Sequence, residues 1–172
     1  MDNENTVSRR SFLRNSLRMA VIGAGSVVVA SGTVQAETGE VFEVVKTDKE
    51  WKAQLGNASY QVLRHEDTER PGTSPLLSEK REGIFHCAGC DLAVYDSKTK
   101  YESGTGWPSF YESLPNAVGT REDRRLIFSV RTEVHCRRCG GHFGHIFDDG
   151  PKPTGMRHCL NGLALTFKPK SA

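Results

Sequence analysis

Two C-x-x-C pairs, Cys87-Ala88-Gly89-Cys90 and Cys136-Arg137-Arg138-Cys139, stand 45 residues apart in this chain. Such a spacing lets one tight turn present two thiolates to a tetrahedral ion, and two turns complete the shell. Gly140, directly after the second pair, suits a knuckle whose backbone closes tightly around the metal. The long interval exceeds that of a compact zinc ribbon, so the site would join distant parts of a sheet. Four thiolates leave no open coordination position, which favours one structural zinc held by Cys87, Cys90, Cys136 and Cys139. Two disulfides are the serious alternative in an oxidising compartment. A redox-active C-x-x-C is the weaker one, because it wants a βαβ context that the flanking residues do not supply.

The flanking pattern is mainly β. From Gly83 onward short apolar runs are punctuated by Gly and Pro, and Leu126, Phe128, Val130, Thr132 and Val134 alternate as one strand would. Leu163 to Phe167 reads as another strand. No helical stretch of 10 to 15 residues separates these runs, so antiparallel sheets forming a small barrel-like core are expected. Short helices flank them on the N-terminal side. One begins at Thr47-Asp48-Lys49-Glu50, a capping box, and ends near Gly56; a second starts near Ser59 and carries Tyr60, Val62 and Leu63.

Residues 1–36 read differently. Arg9-Arg10 precede a charge-free run from Met19 to Val34, 16 residues long, shorter than the roughly 20 of a spanning helix. The run ends in Val34-Gln35-Ala36, a small-x-small cleavage pattern. The segment is read as a cleaved twin-arginine-type export signal, placing residues 37–172 in the periplasm as one domain without stable membrane association. Without Arg9, Arg10, Arg14, Arg18, Asp2 and Glu4, the remainder holds 19 basic and 19 acidic residues. A domain of zero formal charge lacks the basic surplus expected of a nucleic-acid binder.

Five cysteines is an odd number, so at least one has no disulfide partner within the chain. Cys159 stands alone in Met156-Arg157-His158-Cys159-Leu160-Asn161-Gly162, where Arg157 and His158 are placed to favour a thiolate. A lone cysteine is as readily a small buried hydrophobe. Upstream lies Gly141-His142-Phe143-Gly144-His145-Ile146-Phe147-Asp148-Asp149-Gly150, whose H-x-x-H pair could donate protons or bind metal.

Taken with Ser103-Gly104-Thr105-Gly106-Trp107-Pro108-Ser109-Phe110, these motifs resemble the B-type methionine sulfoxide reductases, which act on the R epimer. The likeness runs from about Lys46 to Pro169. It implies Cys159 as the nucleophile that attacks the sulfoxide sulfur, with His142 and His145 as the active-site histidines and His145 the more direct proton donor. Trp107 matches the substrate-binding tryptophan, Arg157 the basic residue before the nucleophile, and Asp149 and Asn161 the polar groups that support the site. It also implies an oxidised peptide or protein substrate, and a monomer is expected.

Many members carry a second free cysteine where this chain has Thr105. With four cysteines spent on zinc, no other thiol can form an internal disulfide with Cys159, so an outside thiol, such as a thioredoxin-like protein, is expected to regenerate it. His158 stands where Tyr is usual, and Gly162 where Ser is usual. Two other readings are a zinc-stapled ligand-binding module without catalysis and a cysteine hydrolase; nothing in the sequence marks the oxyanion hole the latter needs.

Overall fold

Thr47 caps the first helix as its sequence predicts. The structure, a computed structural model, describes residues 40–126 and 129–171. The export-signal reading of residues 1–36 lies outside them. Thr47 Oγ1 accepts from the Glu50 backbone N–H, and Glu50 Oε2 accepts from the Thr47 N–H at 2.8 Å. The helix α1 (Asp48–His65) is interrupted at Gly56, where φ is 70° and ψ 173°, so its two halves are the two expected helices. Its buried side chains are Trp51, Tyr60, Val62 and Leu63, and it packs on β7 (His142–Phe147) and on the 3-10 turn Gly162–Ala164.

Among the described residues nine strands follow, in two antiparallel sheets. The smaller has the order β2 (Ala93–Asp96), β1 (Gly83–Cys87), β9 (Leu165–Pro169). The larger runs β3 (Lys100–Tyr101), β4 (Ser109–Phe110), β8 (Arg157–Leu160), β7, β6 (Ser129–Cys136), β5 (Val118–Leu126). Among the described residues both orders are open, with β3 and β5 at the edges of the larger sheet, so the barrel-like closure is not seen. The mainly antiparallel β class holds.

Two strand expectations need correction. Leu126 pairs with Ser129, so the chain reverses there, and the expected strand Leu126 to Val134 is split between β5 and β6. A period-2 pattern persists across a hairpin because both arms alternate, and so it cannot mark the turn. Val130 is exposed and Val134 fully buried, which one uniformly buried face would not give. Leu163 belongs to the 3-10 turn, and β9 begins only at Leu165.

Alternation divides the larger sheet into two faces. Phe110, Val134 and Leu160, the bulge residue Phe143, and Phe85, Val94 and Tyr95 of the smaller sheet belong to one fully buried apolar core. Phe85 and Phe110 lie 4.9 Å apart between centroids, Tyr95 and Phe110 4.6 Å. Burying such a ring is worth roughly 2–3 kcal/mol. Cys159 and Arg157 alternate with His158 and Leu160 on β8, and therefore face the other way.

Candidate functional site

The face turned from the core carries one row of polar residues, one from each strand. Direct cross-strand partners share a face. Tyr101 pairs with Ser109, Ser109 with Cys159, Cys159 with His145, His145 with Glu133, and Glu133 with Arg121. Cys159 sits near the middle of that row. At Gly144 the strands approach so closely that an added Cβ would lie 2.0 Å from the Cys159 carbonyl oxygen. Only glycine permits β7 and β8 to pack there.

The sulfur of Cys159 is partly buried, and burial pushes the thiol above its ordinary range. Two neighbours act the other way. Thr105 Oγ1 lies 3.9 Å from the sulfur, and the Arg157 guanidinium favours the thiolate through its charge. Thr105 bonds Ser103 at 2.8 Å, and Ser103 bonds Ser109 at 2.8 Å, so a chain of hydroxyls leads away from the one beside the sulfur.

His158 does not join them. Its side chain lies on the core face, where Nδ1 meets the Tyr95 hydroxyl at 2.9 Å. Burial lowers its pKa to about 4, so it is neutral and gives the thiolate no charge. The expectation that the basic pair acts together is therefore corrected to Arg157 alone, because adjacent strand residues point to opposite faces.

Arg157 is fixed by Asp149 in a two-pronged pair, Nε to Oδ1 at 2.7 Å and Nη2 to Oδ2 at 2.9 Å. Its guanidinium also lies 4.4 Å from the Phe147 ring centroid. Asp149 thus acts on the site through Arg157. Asn161 is buried: its Nδ2 donates to the Phe143 carbonyl at 3.0 Å, and its Oδ1 accepts from the Glu69 N–H at 3.0 Å. Trp107 is half-buried, and its Nε1 donates to the Glu69 carbonyl at 3.1 Å. The Glu69 carboxylate accepts from the N–H groups of Gly162 and Leu163. Glu69 thereby ties the Trp107 segment to the turn that follows Cys159.

His142 and His145 do come together, their rings 5.4 Å apart. Each has its own carboxylate. Asp123 Oδ2 lies 2.7 Å from His145 Nε2, and Glu133 Oε1 lies 2.7 Å from His142 Nδ1. Asp123 also accepts from Arg131 at 2.6 Å. Burial alone would raise the Asp123 carboxyl, but bonds from the Arg125 N–H, His145 and Arg131 outweigh it and hold the group well below its usual range. Sequence reasoning missed Asp123, Arg131, Glu133 and Arg121. Arg131 and Glu133 are the polar alternates of β6, and nothing in their local sequence marks them off from solvated charges.

The four remaining cysteines form the second centre. Their sulfurs lie within 4.8 Å of one another, with Cys87 to Cys139 at 3.7 Å and Cys90 to Cys136 at 3.5 Å. Tetrahedral sulfurs about 2.3 Å from a zinc ion would be about 3.8 Å apart, whereas a disulfide needs about 2.05 Å. The cluster therefore fits one metal ion and no disulfide. Asp91 (φ 59°) and Gly140 (φ 68°) close the two turns in the same left-handed conformation. One knuckle leaves β1 and the other leaves β6, so the metal would pin the two sheets to each other.

Residues 55–169 match the family described as SelR domain. The chain belongs to the SelR (MsrB) family. Peptide methionine sulfoxide reductase MsrB of Pseudomonas entomophila (strain L48) is 47% identical over 128 residues, 74% of this chain and 98% of that protein. The protein of the same name from Leifsonia xyli subsp. xyli (strain CTCB07) is 48% identical over 131 residues, covering 75% and 94%. The chloroplastic peptide methionine sulfoxide reductase B1 of Arabidopsis thaliana is 42% identical over 151 residues, covering 87% and 74%. Both C-x-x-C pairs, Trp107, the two histidines and Cys159 all lie within the SelR match.

Proposed function

We propose that this protein reduces methionine-R-sulfoxide in peptides and proteins to methionine, as an oxidoreductase acting on sulfur. The observation that carries this reading is Cys159 set directly across the β7–β8 ladder from His145, with Arg157 on the same face. A thiolate, a nearby cation and a proton donor are what displacement at a sulfoxide sulfur requires. Cys159 sulfur attacks the substrate sulfur, and the histidine pair carries the thiol proton to the sulfoxide oxygen. That oxygen then passes to Cys159, so one thiol and one sulfoxide become one sulfenic acid and one methionine. Trp107 provides the flat apolar face for the S-methyl group.

A thiol from outside reduces the sulfenic acid. Its first thiol forms a mixed disulfide with Cys159 and releases water, and a second thiol frees the enzyme. A thioredoxin-like dithiol suits both steps. Thr105 supports this route, since a hydroxyl 3.9 Å from the sulfur stands where many similar reductases carry a second cysteine. The ion that the four-cysteine cluster would hold is read as zinc in a structural role, since no coordination position is left for substrate. The same proposal includes export of the domain behind residues 1–36.

The test is single-turnover reduction of peptides bearing separately prepared R and S sulfoxides, with Cys159→Ser alongside. Methionine from the R epimer alone, with an inert variant that retains its metal, is the expected result. Equal turnover in wild type and variant would defeat the assignment and favour a binding module.

A further inference from the structure

Glu133 is 2% exposed, has no contact with the Cys159 sulfur, and matches no motif that the sequence singles out. Its carboxylate nonetheless takes three hydrogen bonds, as Asp123 does. Arg121 grips it with two nitrogens, Nε on Oε2 and Nη2 on Oε1 at 3.1 Å, and His142 Nδ1 lies 2.7 Å from Oε1. Arg121 is braced in turn by Glu66, which also takes Arg125 at 2.6 Å. Burial would raise the Glu133 carboxyl, but the bonds from His142 and Arg121 leave it below its usual range, and it stays ionised.

An ionised carboxylate accepts and never donates. The hydrogen between Glu133 and His142 therefore belongs to the Nδ1 of His142. The other nitrogen, Nε2, is buried and has no hydrogen-bond partner. With Nδ1 tied to β6, Nε2 faces away from that strand. His145 is arranged the opposite way, with Asp123 on its Nε2.

We propose that Glu133, backed by Arg121, is a positioning residue that locks His142 as the Nδ1–H tautomer and leaves an unpaired Nε2 lone pair in the site. This deepens the reductase reading and rests on it for its catalytic meaning. Within the histidine pair that carries the Cys159 thiol proton to the sulfoxide oxygen, this lone pair is the acceptor, and the Glu133 carboxylate faces the ring from its other side. His142 ends as it began. His145, locked with its hydrogen on Nε2 toward Asp123, serves the complementary role of a neighbour with fixed polarity. The titratable and charged groups around His142 are Glu133, with Arg121 and Glu66 behind it, His135 directly across the β6–β7 ladder, His145 beside it, and Asp123 and Arg131 beyond.

The tautomer is read by ¹⁵N resonance of the imidazole nitrogens in the whole reduced, metal-loaded protein, in wild type and in Glu133→Gln. In wild type the ring of His142 is expected with hydrogen on Nδ1, the form disfavoured in free histidine. In the variant it should move toward Nε2–H, and single turnover should slow about tenfold or more. An Nε2–H ring in wild type overturns the proposal outright, and this holds even if Glu133→Gln fails to fold. An Nδ1–H ring that persists in a folded variant also overturns it. Because the resonance needs no substrate, a protein inactive on sulfoxides yet showing the expected ring would sink the reductase reading and leave the tautomer lock standing.

Discussion

His145 and Cys159 are direct partners across the β7–β8 ladder, so the nucleophile and one histidine share a face through backbone pairing alone. No flexible loop sets their separation. The remaining members of the site are placed against that pair: Arg157 by Asp149, Trp107 by the Glu69 carbonyl, and the histidines by two buried carboxylates.

Arg157 should tune the acidity of Cys159. Burial places the thiol above its ordinary range, so the rate of alkylation by iodoacetamide should reach half its plateau above the pH typical of a free cysteine. Arg157→Met removes a cation that opposes this, and the midpoint should rise further. An unchanged midpoint would mean that the guanidinium serves packing on Phe147 only.

Thr105→Cys should give the chain an internal resolving thiol. The native hydroxyl oxygen lies 3.9 Å from the Cys159 sulfur, close enough for small side-chain movement to bring two sulfurs into bonding distance. After one turnover the variant should lose two titratable thiols where wild type loses one. Loss of only one would show that the segment carrying Thr105 cannot approach as required.

Acid should destabilise the fold partly through His158. Its folded pKa, lowered to about 4, lies below the usual 6.5, so the unfolded chain binds a proton first. The stability from the neutral ring is complete above pH 6.5 and is lost as pH falls toward 4, by roughly 2 kcal/mol. His158→Gln should flatten that part of a urea-unfolding stability profile between pH 7.5 and 4.5. Equal slopes in both proteins would assign the loss to carboxylates instead.

Cys136→Ser should cost the protein its metal and much of its stability. The cluster joins the ends of β1 and β6, which belong to different sheets. Loss of a structural ion removes several kcal/mol, which for a domain of this size predicts a Tm fall of at least about 15 °C. Treating wild type with a strong chelator should reproduce the fall, while Cys159→Ser should keep both the metal and the Tm.

Much of the site was legible beforehand because its chemistry uses rare residue types. Two C-x-x-C pairs, one leftover cysteine, an H-x-x-H pair and a tryptophan before proline stand out in any chain. Thr47 and Glu50 announced the helix start, and Gly56 its interruption, since capping and glycine effects act over three or four residues. The hairpin between β5 and β6 was hidden because alternation looks the same on both sides of a turn. Asp123 and Glu133 were invisible for another reason: acidic residues are common, and nothing local separates a solvated carboxylate from a buried one.

The sequence by itself determined the inventory of reactive groups, the antiparallel β class and the helix start, all of which follow from residue type and short-range spacing. Which groups meet was decided by the tertiary structure. Residues 121, 133, 145 and 159 share one row only because three strand registers agree, and a shift of one residue in any of them would turn a side chain to the other face. His158 shows the same rule in reverse: one peptide bond from the nucleophile, it spends its basicity in the core beside Tyr95.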